Sequence, residues 1–329
     1  MRTFLGVDGG GTKTDFLLID ESGRVLATRR EGSSYYLEIG LPALQRMLVA
    51  SIGEMLQRAA IAPAATYAFL GLPAYGENTA LLTSLDRIVA DVLPLERYRC
   101  GNDVVCGWAG ALAGGDGINI VAGTGSIAYG EFASRSARAG GWGELFSDEG
   151  SAYWVAREAL ALFSRMSDGR ASRGPLYDLI REHFKVTADL EVCAAVYGPP
   201  PLTRSEFSAL APIATTAARG GDLAAGRIFE MAAQELVAIV HAVRDNLGVP
   251  PQVRLPVSYS GGMFRSDNLV LPLVQALLQK SDRQYEFAAP RLSPIAGAVL
   301  YAAKLAGAPL TTDAIAQLSR THTAFSGAS

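Results

Sequence analysis

The stretch that decides the fold lies at the start of the chain and reads Phe4-Leu5-Gly6-Val7-Asp8-Gly9-Gly10-Gly11-Thr12-Lys13-Thr14-Asp15-Phe16-Leu17-Leu18-Ile19-Asp20. An apolar run ends at Asp8, a segment of glycine and hydroxyl residues follows, and a second apolar run begins directly after it. A turn at residues 21–23 then leads into a third apolar stretch from residue 24. The pattern predicts three consecutive strands with a glycine-rich turn between the first two.

This glycine-rich turn has the composition of a phosphate-binding hairpin. Glycine permits positive φ and lets backbone N–H groups approach a ligand, and successive N–H groups form a concave anion site. Asp8, at the end of the strand, is placed to hold a metal ion near the phosphates. A Walker A loop fits less well because Thr12 separates Gly11 from Lys13, and a dinucleotide fingerprint fits less well because a strand follows. A glycine-rich hairpin without a ligand stays open as the alternative.

Two further glycine segments follow predicted strands. Gly123-Thr124-Gly125-Ser126 separates two apolar runs in the same way as the first turn, which suggests two similar halves facing each other across a cleft. Gly261-Gly262 follows a strand predicted over 253–260 and precedes a helix predicted from about Ser266. Glycines at such a position let the backbone pass close to a flat ring or a sugar.

In this order the segments resemble the motifs of the sugar kinase, Hsp70 and actin superfamily, and more closely its N-acetylglucosamine kinase branch, which shares a fold with the BadF/BcrA-type ATPases. The resemblance runs from about residue 3 to 305. It implies an α/β fold of two actin-like (ribonuclease H-like) halves flanking a nucleotide cleft, with ATP and Mg²⁺ as cofactors and Asp8 as the metal residue. The ATP-binding residues that it implies are Gly9, Gly10, Gly11, Thr12, Lys13, Thr14, Gly123, Thr124, Gly125, Ser126, Gly221, Gly261 and Gly262.

The resemblance also implies a site for an amino sugar. Gly141-Trp142-Gly143, followed by residues 147–152, is similar to the amino-sugar-binding segment of these kinases, and Asn102-Asp103 is similar to the segment that carries their catalytic aspartate. N-acetylglucosamine is the first expectation, with glucosamine and N-acetylmuramic acid open. The implied catalytic residue is Asp103, and the implied substrate-binding residues are Tyr35, Asn102, Thr124, Trp142, Gly143 and Asp148.

Several of these residues have structural alternatives. Asp103 follows a predicted short strand, and clefts of α/β sheets open at the carboxyl ends of strands, but aspartate is also a favoured helix N-cap; both roles can coexist if Asn102 caps the helix. Asp148 precedes a predicted helix and can be a cap. Trp142 can be a core residue. Lys13 can contact phosphate or only solvent, and Gly221 lies in a loop before the expected N-cap Asp222.

One position departs from the kinase pattern. The family commonly has an asparagine after the third strand that contacts the sugar, and Tyr35 stands at that position in the segment Gly32-Ser33-Ser34-Tyr35-Tyr36. A phenol in place of an amide changes the sugar that is accepted, unless an adjacent serine serves instead. The exact substrate therefore stays open.

Composition narrows the class of protein. The chain has 329 residues, of which 49% are apolar and 19% charged, and its length favours two domains. We expect a division into 1–116 and 117–329, with a helical insertion over about 150–247. A net charge of −3 gives no basic surface for nucleic acid or an anionic membrane. Three cysteines without C-x-x-C spacing, and no signal peptide, predict a cytoplasmic protein with free thiols. A homodimer is compatible with the sequence.

Two other functions share this fold. An ATPase activator of a radical acyl-CoA dehydratase would hold an iron–sulfur cluster through cysteines, and it would leave Trp142 and Asp148 without a role. A sugar-sensing regulator on a kinase scaffold would need a DNA-binding head, and we expect none before the first strand.

Overall fold

The computed structural model describes residues 2–265 and 269–326. The chain forms two α/β units. One unit contains the residues up to Gly115 together with those from Ala289 onwards, and the other contains Asp116–Ala288. The predicted α/β class with two halves is therefore confirmed.

The first unit is built on a five-stranded sheet with the order β3-β2-β1-β4-β5. β1 pairs antiparallel with β2 and parallel with β4, and β4 pairs parallel with β5. The carboxyl ends of the three parallel strands therefore lie side by side at one edge, with β4 in the middle. The strands are β1 (Thr3–Asp8), β2 (Thr14–Asp20), β3 (Val25–Glu31), β4 (Thr66–Leu72) and β5 (Tyr98–Asn102).

Helices of this unit follow the apolar periodicity of the sequence. The spacing of Leu44, Leu48, Ile52 and Leu56 is typical of one face of a helix, and this stripe is buried on α2. The apolar residues over 79–92 favour one helix, but the backbone forms a 3₁₀ turn at Thr79–Leu81 and then the short helix α3, which ends at Asp86. The helices are α1 (Tyr36–Ile39), α2 (Leu41–Arg58), α3 (Leu82–Asp86) and α4 (Val104–Ala111).

The second unit repeats this strand arrangement. Its sheet order is β10-β9-β6-β7-β8, which is the order of the first sheet read from the opposite edge. The strands are β6 (Gly117–Ala122), β7 (Ser126–Phe132), β8 (Arg135–Gly140), β9 (Leu255–Ser260) and β10 (Tyr285–Phe287). The prediction of two similar halves, drawn from the two glycine hairpins, agrees with this repeat.

A block of helices is inserted between β8 and β9, as the sequence predicted. The helix expected from Ser266 begins outside the described residues, since 266–268 are not described, and α11 is observed from Val270. The inserted helices are α5 (Ala152–Ser167), α6 (Pro175–Phe184), α7 (Glu191–Tyr197), α8 (Arg204–Ser208), α9 (Ala211–Arg219) and α10 (Leu223–Leu247), whereas α11 (Val270–Lys280) lies between β9 and β10.

The last segment differs from the predicted division at residue 116. It contains α12 (Pro294–Leu305) and α13 (Thr312–Ser326) and belongs to the first unit. α12 packs on α4 in backbone contact, because a Cβ on Gly297 would lie 2.1 Å from the Cys106 carbonyl oxygen. The Arg291 N–H also donates to the Ala111 carbonyl at 3.1 Å. The C-terminal helices therefore pack with the first unit through close contacts at glycine, and the order of elements along the chain does not predict these contacts.

Candidate active site

The first glycine hairpin connects β1 to β2 at the edge where the parallel strands end. The Gly9 N–H donates to the Gly71 carbonyl at 2.8 Å. A Cβ on Gly9 would lie 2.5 Å from Ser34 Oγ, whereas a Cβ on Gly11 would meet no heavy atom of the described residues within 4 Å. The φ angles of Gly9, Gly10 and Gly11 are not in the left-handed region. Glycine is therefore required at position 9 for close packing, and Gly11 leaves open space for a ligand.

Two side chains of this hairpin already bond to other residues of the protein. The Thr14 hydroxyl donates to the Gly32 carbonyl at 2.8 Å and ties the hairpin to the end of β3. Lys13 Nζ lies 3.0 Å from Asp15 Oδ2, so in this structure the lysine is ion-paired on the surface. Thr12 is exposed. Thr14 is also fully buried, so its contact with a nucleotide stays a prediction.

Two carboxylates flank the end of β4 in this unit. Asp8 ends β1, and Asp103 follows β5; a Cβ on Gly71 of β4 would lie 3.1 Å from the Asp103 Cα. Burial raises the pKa of Asp8 to about 7, and the carboxylates of Asp103 and Asp15 add to this rise, while Lys13 opposes it. A carboxylate held in this way gains from a nearby cation. These residues fit Mg²⁺, which binds proteins through one or two carboxylates and keeps several waters.

Asn102 and Asp103 have different roles at the start of α4. Asn102 Oδ1 accepts the Val104 N–H at 3.1 Å, and Asn102 Nδ2 donates to the Tyr75 carbonyl at 3.3 Å. The Asp103 side chain accepts no capping hydrogen bond from the described backbone of α4. The alternative in which Asp103 is a side-chain cap is therefore wrong, and Asn102 performs that function.

Tyr35 lies where α1 begins. Its side chain is half-buried and packs against the hydrophobic core of the first unit. The neighbouring Ser34 is buried and donates its N–H to the Gly10 carbonyl at 3.0 Å. Ser34 thus supports the first hairpin, and a contact of either residue with a sugar stays a prediction.

The second hairpin connects β6 to β7. One of its glycines has open space beside it, and another is closely packed. A Cβ on Gly123 would meet no heavy atom of the described residues within 4 Å, but a Cβ on Gly125 would lie 2.6 Å from Arg204 Nη2. Thr124 is exposed. The Ser126 hydroxyl donates to the Glu149 carbonyl at 2.7 Å and is held inside the unit. Gly123 and Thr124 are therefore the accessible part of the hairpin.

Helix α5 begins directly against this hairpin. The N-cap is Ser151, whose hydroxyl accepts the Trp154 N–H at 3.2 Å. The Ala152 N–H donates to the Gly123 carbonyl at 2.8 Å. The alternative in which Asp148 caps this helix is therefore wrong, because Ser151 does so.

Asp148 is the buried centre of the predicted sugar segment. Its φ is +60°, and its side chain accepts the Ser126 N–H at 3.3 Å and pairs with Arg204 Nη2 at 2.5 Å. Burial raises the pKa of Asp148, although the hydrogen bonds from Ser126 and Arg204 favour its ionised form. Arg204 also places Nε 3.0 Å from Glu144 Oε2. Sequence reasoning did not find Arg204.

Trp142 is exposed, so the alternative in which it is a core residue is wrong. The side chain is 68% accessible, and the Arg138 guanidinium lies 5.8 Å from the ring centroid. Gly143 has a φ of +98°, and a Cβ there would meet no described heavy atom within 4 Å. Leu145 and Phe146 are exposed in the same loop. The segment presents an aromatic face beside open backbone.

The third glycine segment packs on the second hairpin. Gly261 has a φ of +101°, and a Cβ there would lie 2.3 Å from the Ala122 carbonyl oxygen. Gly262 begins a short 3₁₀ turn that ends at Phe264. Gly221 has a φ of +91° and precedes Asp222, which caps α10 as the sequence predicted. The structure thus brings Gly261 and Gly262 to the hairpin, and the contact of Gly221 with adenine stays a prediction.

Two units that share one strand order, each with a glycine hairpin after its first strand, define the class of actin-like ATPases and sugar kinases. Comparison with known proteins agrees. Residues 5–302 match the BadF/BadG/BcrA/BcrD ATPase family, and the chain belongs to that family.

The chain is similar to three further proteins along most of its length. An N-acetyl-D-glucosamine kinase of Dictyostelium discoideum is 25% identical, with 91% of this chain and 97% of the relative aligned. An N-acetylmuramic acid/N-acetylglucosamine kinase of Clostridium acetobutylicum is 27% identical, with 82% and 87% aligned. A solved structure from Chromobacterium violaceum, described as a candidate N-acetylglucosamine kinase, is 27% identical with a TM-score of 0.68 and covers 92% of this chain and 99% of its own.

Two features are absent from the described residues. None of their helices is long and apolar enough to cross a membrane. Over the same residues, no group of three or more histidine, cysteine, aspartate or glutamate side chains is arranged to hold a metal ion.

Proposed function

We propose that this protein transfers the γ-phosphoryl group of ATP to a hydroxyl of an amino sugar, with N-acetylglucosamine as the first substrate and glucosamine and N-acetylmuramic acid as alternatives. The observation that carries the proposal is the placement of Asp103 beside Asp8 at the strand edge that bears the first glycine hairpin. The kinase relatives named above support the choice of an amino sugar.

Phosphoryl transfer depends mainly on positioning and on electrostatic stabilisation. Each unit offers one hairpin for the nucleotide phosphates, and the space beside Gly11 and beside Gly123 is open to them. Asp103 accepts the proton of the sugar hydroxyl as general base, and Asn102 fixes the start of α4 behind it. Gly261 and Gly262 form the turn on which the adenosine rests.

The sugar is held by the segment from Trp142 to Asp148. The exposed indole packs on the C–H face of the sugar ring, and the space beside the neighbouring Gly143 is open. Asp148 accepts hydrogen bonds from the sugar hydroxyls. Tyr35, in place of the usual asparagine, alters the contact with the remaining part of the sugar.

Mg²⁺ would be held by Asp8, directly or through one of the several waters that this ion keeps. When bound, the ion neutralises charge on the phosphates. Asp103 and Asp15 keep the surroundings of Asp8 negative, which favours the cation.

The dehydratase-activator alternative is disfavoured by the state of the cysteines. Burial raises the pKa of both the Cys100 and the Cys106 thiol, so both are held in the protonated form within the first unit. Cys106 is fully buried beneath Asp8, with its thiol 3.6 Å from the Val7 carbonyl oxygen. These thiols behave as core groups of the first unit.

We also propose a cytoplasmic location, supported by three cysteines that are all free thiols. A homodimer stays a prediction, and sedimentation equilibrium tests it.

Asp103→Asn tests the assignment of the base. The substitution preserves shape and should lower kcat about 10²–10⁴-fold, while the melting temperature and the affinity for ATP stay near those of the wild type. Asp91→Asn, an exposed aspartate of the same unit, is the matched control. A folded Asp103→Asn protein with normal kcat would remove the base from the proposal.

A further inference from the structure

Arg204 connects the predicted sugar segment to the second hairpin. It is the first residue of α8, whose start is fixed by a capping box between Thr203 and Glu206. Its guanidinium contacts Glu144 through Nε and Asp148 through Nη2. The same Nη2 lies 2.6 Å from where a Cβ on Gly125 would be, so the guanidinium rests against the hairpin.

Arg204 also closes the access to Asp148. The Asp148 side chain is only 3% exposed, and its Oδ1 already accepts the Ser126 N–H. Arg204 covers the other oxygen while remaining 44% exposed itself. A sugar hydroxyl that is to reach this carboxylate must therefore take the position of the guanidinium. A buried carboxylate must keep a hydrogen-bond partner, and the sugar hydroxyls that replace the guanidinium supply one, so the exchange leaves Asp148 satisfied.

Displacement from Asp148 leaves Arg204 held by Glu144. The Nε contact with Glu144 does not involve Nη2, so the freed edge of the guanidinium stays next to Gly125. Guanidinium donates in a planar fork that suits phosphate oxygens. At this hairpin the group available to accept those hydrogen bonds is a phosphate of bound ATP.

We propose that Arg204 is a phosphate-binding residue that exchanges partners: it pairs with Asp148 in the free protein, and the amino sugar releases it to the nucleotide phosphates at the second hairpin. This inference rests on the proposed function, because it takes Asp148 as a sugar ligand and the hairpin as a phosphate site. It makes sugar binding and nucleotide binding mutually favourable.

Isothermal titration calorimetry tests the exchange directly. N-acetylglucosamine and the non-hydrolysable analogue AMPPNP with Mg²⁺ are each titrated into the protein, alone and with the other ligand present. For the wild type we expect each ligand to tighten the other at least about fivefold, the lower end of usual coupling between sites. For Arg204→Ala we expect unchanged or tighter sugar binding, coupling within twofold of none, and a lower kcat.

Two further variants make the result specific. Arg204→Lys keeps the charge without the fork and should retain part of the coupling. Arg170→Ala removes an exposed arginine that pairs with Asp168 in the same unit, and it should behave as the wild type. Melting temperatures establish that each variant is folded, and if Arg204→Ala is not, the lysine variant decides.

Sugar binding weakened more than about threefold in Arg204→Ala would show that the arginine only supports the site, and the proposal would be overturned. Coupling that persists in this variant would overturn it as well, as would a wild type that binds both ligands without coupling. A wild type that binds neither ligand contradicts instead the proposed function, so the two failures are distinguishable.

Discussion

Substitution of two glycines in the second hairpin should affect ligand binding at one position and protein stability at the other. A Cβ on Gly123 would meet no described heavy atom within 4 Å, whereas a Cβ on Gly125 would lie 2.6 Å from Arg204 Nη2 and 2.7 Å from Asp148 Oδ2. Neither glycine has a φ in the left-handed region, so backbone strain does not distinguish them. We expect Gly123→Ala to weaken ATP binding in a stable protein, and Gly125→Ala to destabilise the unit.

Magnitudes follow from the contacts that each methyl group removes. At Gly123 the change in unfolding free energy should stay within about 0.5 kcal/mol, as at surface positions. Loss of one backbone hydrogen bond to a charged phosphate costs about 1.5–3 kcal/mol, which is roughly a 10- to 150-fold rise in the KM for ATP. At Gly125 the buried Asp148 loses its charged partner, which costs about 1–3 kcal/mol.

Thermal melting and ATP kinetics on the same preparations measure both effects. For a unit of this size, a destabilisation of 1 kcal/mol lowers the melting temperature by about 2–4 °C. A KM for ATP within twofold of the wild type in Gly123→Ala would refute phosphate binding at this hairpin. A Gly125→Ala protein that melts with the wild type would refute the packing described for Arg204.

Three further predictions concern single side chains. In EDTA, Asp8→Asn should stabilise the protein by up to about 4 kcal/mol at pH 8 but hardly at pH 4. The pKa of Asp8 is about 7 in the folded protein against the ordinary 3.8, so the wild type loses stability as the pH rises between these values. Equal effects in urea titrations at both pH values would contradict this. Trp142→Ala should raise the sugar KM about 2- to 12-fold without lowering the melting temperature, and an unchanged KM would exclude stacking on the indole. Asp222→Ala should cost about 1–3 kcal/mol at unchanged kcat, since its carboxylate accepts N–H groups at the starts of both α6 and α10; a normal melting temperature would refute this double cap.

Much of the fold could be predicted because the burial pattern of the strands and of α2 is visible as a pattern of apolar residues in the sequence. The alternation of apolar runs with glycine turns located both hairpins, and the leucine stripe located α2. At 79–92 the apolar residues Leu85, Ile88 and Val89 are buried although α3 ends at Asp86, so the spacing reported burial and not helical hydrogen bonding. The return of α12 to the first sheet depends on glycine contacts that no local pattern encodes.

The sequence predicted where the candidate site lies, but it did not predict which side chains contact one another there. Glycines and carboxylates at strand ends marked both hairpins and the Asn102-Asp103 pair. Arg204 is separated from Asp148 by 56 residues, and a lone arginine at the start of a short helix carries no signal of its partner. Likewise, only coordinates distinguish the open Gly123 from the packed Gly125. Tertiary contacts decide which members of a motif face a ligand.

The most direct test of the central claim is the stoichiometry of phosphoryl transfer. Purified protein with Mg²⁺ and ATP is incubated with N-acetylglucosamine, glucosamine, N-acetylmuramic acid or glucose, and ADP and sugar phosphate are quantified by a coupled assay and mass spectrometry. We predict equal amounts of ADP and sugar phosphate with at least one amino sugar, N-acetylglucosamine first, and loss of both products in Asp103→Asn. ADP release that is independent of added sugar, with no phosphorylated amino sugar formed, would contradict the account.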